Sequence, residues 1–142
     1  MRLEENNYLD LMNTVANVGP VSVFVDATNW HAYDGGIFDG CDQANPNLNH
    51  VVVIVGYGEE NGLKYWVIRN SWSASWGEAG YMRIKRSSED EENCGVDTYN
   101  TEIPDCGEAQ RHRTACGTCG IISDSSYPVI NVSSVKHFSS FL

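Results

Sequence analysis

The sequence predicts an α+β domain that is mainly β, an antiparallel open β-barrel with one leading helix. Three observations point there. Four segments, 21–25, 49–56, 63–70 and 80–85, alternate apolar and polar residues or concentrate β-branched and aromatic ones, as half-buried strands do. Turn formers punctuate them, at Gly35-Gly36 and at Glu59-Glu60-Asn61-Gly62. Helical spacing occurs in one stretch, and that stretch comes first.

In chain order, residues 5–18 put Leu9, Met12, Val15 and Ala16 on one face and stop before Gly19-Pro20, so they predict a helix. Val21-Ser22-Val23-Phe24-Val25 alternates as a strand does. Segment 30–38 carries the Gly35-Gly36 turn. The strands 49–56 and 63–70 are joined across the polar tip 59–62 as a hairpin. Gly80-Tyr81-Met82-Arg83-Ile84-Lys85 alternates again. Segment 87–93, with Glu89-Asp90-Glu91-Glu92, reads as a solvated loop tip.

Composition narrows the function. A chain of 142 residues fits one domain with a sizeable core, and 42% hydrophobic residues with 7 tyrosines and 4 tryptophans describe a folded protein. A formal net charge of −10 argues against nucleic acid or an anionic membrane as partner. The longest apolar run, 51–55, is strand-sized, far from the ~20 residues of a membrane span. The first residues lack the basic start and apolar stretch of a signal peptide.

The chemistry is carried by a histidine that opens one strand and an asparagine that closes the next. If the hairpin closes at 59–62, the His50 imidazole and the Asn70 carboxamide lie at neighbouring strand ends, where an amide can orient a catalytic ring. Taken singly, each has a plainer reading: a strand-start histidine bonded to backbone, and a turn asparagine. His31, His112 and His137 read as structural or surface residues.

These residues belong to a longer pattern. Val18-Gly19-Pro20-Val21-Ser22-Val23, Tyr33-Asp34-Gly35-Gly36-Ile37-Phe38, Asn49-His50, Tyr65-Trp66-Val67-Ile68-Arg69-Asn70-Ser71-Trp72 and Trp76-Gly77-Glu78-Ala79-Gly80-Tyr81 follow one another with compatible gaps. Together they resemble the second half of a papain-family cysteine peptidase of the cathepsin L type. Cys94-Gly95-Val96, and Cys119-Gly120-Ile121 with Tyr127-Pro128, echo that family's closing strand. The resemblance implies a papain-like right-hand domain: residues 1–98 with the helix 5–18, an insertion at 99–118, and a closing strand and tail at 119–142.

The activity it implies is that of a cysteine-type endopeptidase, a hydrolase in which a thiolate–imidazolium pair attacks the peptide bond in a cleft between two domains. His50 matches the histidine and Asn70 the asparagine that holds its ring. Trp72 matches the indole that covers their contact, and Trp76 an aromatic platform on the leaving-group side. Phe24, Leu48, Asn49 and Val51 match the substrate-binding wall, with an apolar substrate side chain expected; Tyr99 matches its floor. The family's Gln…Cys-Gly-Ser-Cys-Trp segment has no counterpart here. The chain is therefore expected to be the His/Asn half of a cysteine protease, inactive alone. Its expected partners are the N-terminal, Cys-bearing domain or chain and a peptide or protein substrate. The alternative is a non-catalytic papain-like subunit with a binding or structural role in a larger assembly. Neither cofactor nor metal is implied. The implied location is lysosomal, vacuolar or secreted. A half-enzyme is expected to expose an apolar wall and to aggregate or recruit a partner. Ser73 stands where the family has glycine, and a positive φ there would strain it.

Five cysteines suggest an oxidising compartment. The resemblance implies a Cys41–Cys94 disulfide. Of Cys106, Cys116 and Cys119, two are expected to pair, leaving one over. Cys116-Gly117-Thr118-Cys119 admits a zinc site with Cys106 and His112, or a redox pair. It lacks paired-knuckle spacing and a following strand–helix pattern, so a disulfide knot under the insertion is favoured. Asn131-Val132-Ser133 is a glycosylation sequon.

Overall fold

A computed structural model of the chain describes residues 1–98 and 112–129. The leading helix α1 is Tyr8–Asn17 rather than 5–18. Asn6 has φ 58 and Asn7 is extended, so the backbone cannot be helical before Tyr8. Asn7 caps the helix, its side chain accepting the Asp10 N–H at 2.9 Å. At the other end the Val18 and Gly19 N–H groups both turn back to the Thr14 carbonyl, and Gly19 at φ 138 leads into Pro20.

The strands are β1 Val21–Val25, β2 Ile37–Phe38, β3 His50–Glu60, β4 Leu63–Arg69, β5 Tyr81–Lys85, β6 Cys94–Asp97, β7 Arg113–Cys116 and β8 Ser125–Ser126. The fold is mainly β with one leading helix, as the sequence predicts. Six strands form one sheet in the order β2-β5-β4-β3-β1-β8, which stays open rather than closing into a barrel. All its pairings are antiparallel except β2–β5. The β3–β4 hairpin turns through Asn61-Gly62 at φ 52 and 79, the two positive values that a tight hairpin turn with the right twist requires.

The sheet is two-faced. Val21, Val23, Val25, Val52, Ile54, Trp66, Ile68, Met82 and Ile84 point to the inner face and are buried, with Tyr8 and Leu11 of α1 packed on them. Each such side chain contributes on the order of 2 kcal/mol relative to leaving it in water. Arg86 is buried here as well, donating to the Tyr8 hydroxyl and lying over the Tyr57 and Trp66 rings at 4.9 and 5.4 Å. The outer face leaves Phe24, Val51, Val55 and Tyr81 exposed.

The C-terminal half of the disulfide framework differs from expectation. Cys41 pairs with Cys119, and Cys94 with Cys116; the expected Cys41–Cys94 bridge does not form. The reason is register. Strand β7 lies in the segment expected to be insertion, and it pairs with β6 so that Cys94 faces Cys116 directly, their Cα atoms 3.9 Å apart. The next turn, Thr118–Gly120, holds Cys119 at φ 59, and the Asp26 N–H donates to its carbonyl, bringing it beside Cys41. With both sulfurs of Cys116-Gly117-Thr118-Cys119 in disulfides, no thiolate remains there for zinc. Among the described residues no cluster of three metal-ligating side chains exists. Cys106, Tyr99 and the sequon at Asn131 lie outside the described residues.

The acidic segment 87–93 is more than a solvated tip. Asp90 is 1% exposed and accepts the Ser87 N–H at 3.0 Å, while Glu91 accepts the Tyr8 N–H at 2.7 Å at the start of α1.

Candidate active site

His50 is the first residue of β3, held where Val25 of β1 pairs with it. Asn70 follows the last residue of β4, and its N–H donates to the Gly80 carbonyl at 3.0 Å. The two side chains meet: His50 Nε2 lies 2.9 Å from Asn70 Oδ1. The same oxygen accepts the Ser71 N–H at 2.8 Å. A backbone N–H can only donate, so the carboxamide must turn its oxygen to both neighbours. The ring therefore carries its proton on Nε2, and Nδ1 is the nitrogen left to meet a reacting group. A neutral amide suits this role, since it orients the ring in either charge state. Asn70 is 9% exposed, so the contact sits in low dielectric, where it is strengthened.

Aromatic rings enclose the pair. Trp72 stacks on His50 with centroids 5.1 Å apart, and Trp76 meets Trp72 edge-on at 5.2 Å. Trp76 is anchored by its Nε1–H donating to the Trp30 carbonyl at 3.1 Å. Sequence reasoning missed two members of this cluster. Trp30, fully buried, presents its edge to the His50 ring at 6.3 Å. His31, exposed, lies flat on Trp72 at 4.7 Å. The adjacent Trp30-His31 pair gave no periodic or motif signal.

The loop after β4 carries Trp72 and Trp76 into place, and Ser73 within it has φ 77. The strain foreseen for a residue replacing glycine is therefore present. It is offset in part by the Ser73 hydroxyl, which lies 2.7 Å from the Ser75 hydroxyl and accepts the Ser75 N–H at 3.2 Å. Tyr33, Glu78 and Arg83 brace the far side: Glu78 accepts the Gly36 N–H and the Arg83 Nε and Nη2 donors, and Arg83 Nη1 donates to Glu60 at 2.6 Å. The Arg83 hydrogen bonds hold the Glu78 carboxyl below its ordinary range, and burial pushes the Tyr33 phenol up.

Of the four expected substrate-wall residues, Phe24 and Val51 are cross-strand partners one register step from His50 and expose 39% and 49% of their surface on the outer face. Asn49 uses its carboxamide internally, accepting the Ala27 N–H and donating to Thr28 Oγ1, both at 3.0 Å. Leu48 is 4% exposed and packs towards Gly120, where a Cβ would meet its Cδ2 at 2.7 Å, so it offers a ligand almost no surface.

The chain has recognisable relatives among known proteins. Residues 1–103 match the profile of the papain family cysteine proteases. The chain is 46% identical over 87 residues to the cathepsin L-like proteinase of Phaedon cochleariae, covering 61% of this chain and 26% of that protein. It is 39% identical over 127 residues to a KDEL-tailed cysteine endopeptidase of Arabidopsis thaliana, covering 88% of this chain and 28% of that protein. Among solved structures, the bromelain protease of Ananas comosus in complex with the E64 inhibitor superposes with a TM-score of 0.68 at 36% identity, over 92% of this chain and 49% of that one. The chain belongs to the papain family of cysteine proteases. It spans a quarter to a half of the length of these relatives.

Proposed function

We propose that this chain is the His/Asn half of a papain-like cysteine endopeptidase and that a Cys-bearing half completes it. One observation carries the reading: His50, oriented by Asn70 and covered by Trp72, has Nδ1 left for a group that no described residue supplies. Cys41, Cys94, Cys116 and Cys119 are all in disulfides, so no described cysteine has a thiol to offer.

In the completed enzyme His50 takes the proton of the partner's thiol through Nδ1 and stands beside the thiolate as imidazolium. The thiolate attacks the peptide carbonyl. The imidazolium then returns its proton to the leaving amine, and on the second half-reaction draws one from water. Asn70 keeps the ring in plane throughout, and Trp72 keeps water from its hydrogen bond. Phe24 and Val51 form an apolar patch at the cleft edge that receives a hydrophobic substrate side chain. The two disulfides suit a lysosomal, vacuolar or secreted setting. No helix among the described residues is long and apolar enough to cross a membrane.

The test is fragment complementation. The chain alone is expected to leave a fluorogenic dipeptide amide intact. Mixed with a Cys-bearing half it gains turnover that an epoxide thiol reagent blocks and His50→Ala removes. Turnover by the chain alone would overturn the proposal. Tight association without turnover would instead favour a non-catalytic subunit.

A further inference from the structure

The two disulfides differ in what surrounds them. Cys41–Cys119 is packed inside: Cys119 is fully buried, and its carbonyl accepts the Asp26 N–H. Cys94–Cys116 crosses the two-stranded ribbon of β6 and β7, a sheet separate from the six-stranded one. Cys94 is exposed at the start of β6, whereas Cys116 is 2% exposed. One half-cystine of this bridge therefore meets solvent and the other does not. The bridge also secures a clamp. Gln43 donates its side-chain amide to the Asn93 carbonyl at 2.8 Å and to the Gly117 carbonyl at 3.1 Å. Asn93 precedes Cys94 and Gly117 follows Cys116, so one carboxamide spans both sides of the disulfide. The Val96 N–H donates to the Ala44 carbonyl at 3.1 Å. Gly95 lies so close that a Cβ there would meet the Gln43 carbonyl oxygen at 2.0 Å. The clamped loop 43–47 runs on through Leu48 and Asn49 into His50, and the Asn47 N–H is fixed by Asp26 at 3.0 Å.

We propose that Cys94–Cys116 is an exchange site for a small-molecule thiol, and that opening it loosens the loop that leads to His50. The inference stands on the ribbon and is independent of the two-half reading. The thiolate attacks the Cys94 sulfur in line with the S–S bond. A bond forms between the incoming sulfur and Cys94, the protein S–S bond breaks, and its electron pair leaves on Cys116, which takes a proton from water. A second thiolate attacks the incoming sulfur of this mixed disulfide, releasing the oxidised small disulfide and the Cys94 thiolate. Two electrons thus pass from two small thiols to one protein disulfide. Access directs the attack to Cys94, because reaching Cys116 or Cys119 requires a thiol to enter the packed interior. Once the bridge is open, β6 and β7 are held by a ladder of four residue pairs and by the side-chain amides of Gln43 and Asn6. A two-stranded ribbon is marginal by itself in water. It therefore opens more often, and the hold on residues 43–47 weakens with it.

The test treats the full oxidised chain with millimolar reduced glutathione near neutral pH, with free cystine as a control. After acid quenching and alkylation, peptide mapping assigns every sulfur, Cys106 included. Glutathione is expected on Cys94 and the alkyl group on Cys116, with Cys41–Cys119 intact. Equal or faster reaction of Cys41–Cys119, glutathione on Cys116 in place of Cys94, or an intact Cys94–Cys116 bridge while cystine is reduced would overturn the site. The link to the loop is read by amide hydrogen exchange. Exchange at Val96 and Asn47 is expected to quicken about tenfold on opening, while Trp66 and Ile68 in the core keep their protection. The Cys94→Ser/Cys116→Ser variant is expected to show the same exchange without glutathione; if it does not fold, the glutathione-treated chain decides. Unchanged exchange at Val96 and Asn47 in the opened chain would overturn the link.

Discussion

Replacing Asp90 with asparagine tests how this chain responds to acid. Asp90 lies in the acidic run 87–93, yet it is 1% exposed, and burial pushes its pKa from 3.8 to about 6 against the opposing Ser87 N–H bond and the nearby Arg86 and Lys85 charges. Below pH 3.8 the carboxyl is protonated in both folded and unfolded chains and contributes no pH dependence. Between about 4 and 6 the folded chain keeps the proton and the unfolded chain releases it, so stability falls as pH rises. Above about 6 both are ionised and the loss is complete, on the order of 3 kcal/mol for a shift of about two units. Asp90→Asn can still accept the Ser87 N–H and never ionises. Urea denaturation of both proteins from pH 4 to 7.5 is the assay. The curves should meet near pH 4 and diverge by up to about 3 kcal/mol at neutrality, the variant being more stable. Glu78 works in the opposite direction, its lowered pKa contributing stability that is lost as pH falls, but it is common to both proteins and cancels. Parallel profiles across the whole range would refute the reasoning.

Three further outcomes follow from the site and the cross-links. Trp72→Ala should speed solvent exchange of the His50 Nε2–H, seen by ¹⁵N-edited NMR, and cost about 2 kcal/mol of stability; unchanged exchange would show that the indole does not shield the pair. Ser73→Gly should raise the thermal midpoint by a few degrees, corresponding to about 1 kcal/mol of relieved left-handed strain, provided the lost hydroxyl contacts cost less; a lower midpoint would mean they cost more. Non-reducing peptide mapping should recover Cys41 linked to Cys119 and Cys94 linked to Cys116, and a Cys41–Cys94 peptide would contradict the observed β6–β7 register.

The legible parts of this fold are those fixed by short-range pattern. Alternation located β1 and β5, and the Asn61-Gly62 turn between two apolar runs placed His50 and Asn70 at adjacent strand ends before any coordinate did. The strain at Ser73 was legible because one backbone conformation admits glycine and resists serine. The illegible parts depend on contacts far apart in sequence. Which cysteine faces Cys94 depends on β7 returning across a long connection, and no local signal sets that register. Asp90 sits in a run of four acids whose natural reading is solvation, and only the Gly117 turn, whose N–H donates to the Asp90 carbonyl, reveals that it is buried. His31 joined the site by stacking on Trp72 from another loop, a contact that spacing cannot encode.

One irregularity decides whether the site exists at all. From the turn, Glu60 faces Leu63 and Tyr57 faces Trp66, but beyond Val55 the pairing shifts, so that Ile54 faces Ile68 and Val53 faces Arg69. The extra residue is a β-bulge, and it reverses which residues of β3 point inward. With the bulge, His50, Val52 and Ile54 share the face of Ile68 and Asn70. In a regular ladder from the same turn, Val51 and Val53 would take that face and His50 would point outward, away from the carboxamide. Deleting Val55 should therefore remove the bulge yet leave Ile54 opposite Ile68 and the ring beside Asn70. The expected signature is retention of the protected His50 Nε2–H resonance with amide shifts of 57–66 little changed. Loss of that resonance in the deletion variant would show that register alone does not set the pair.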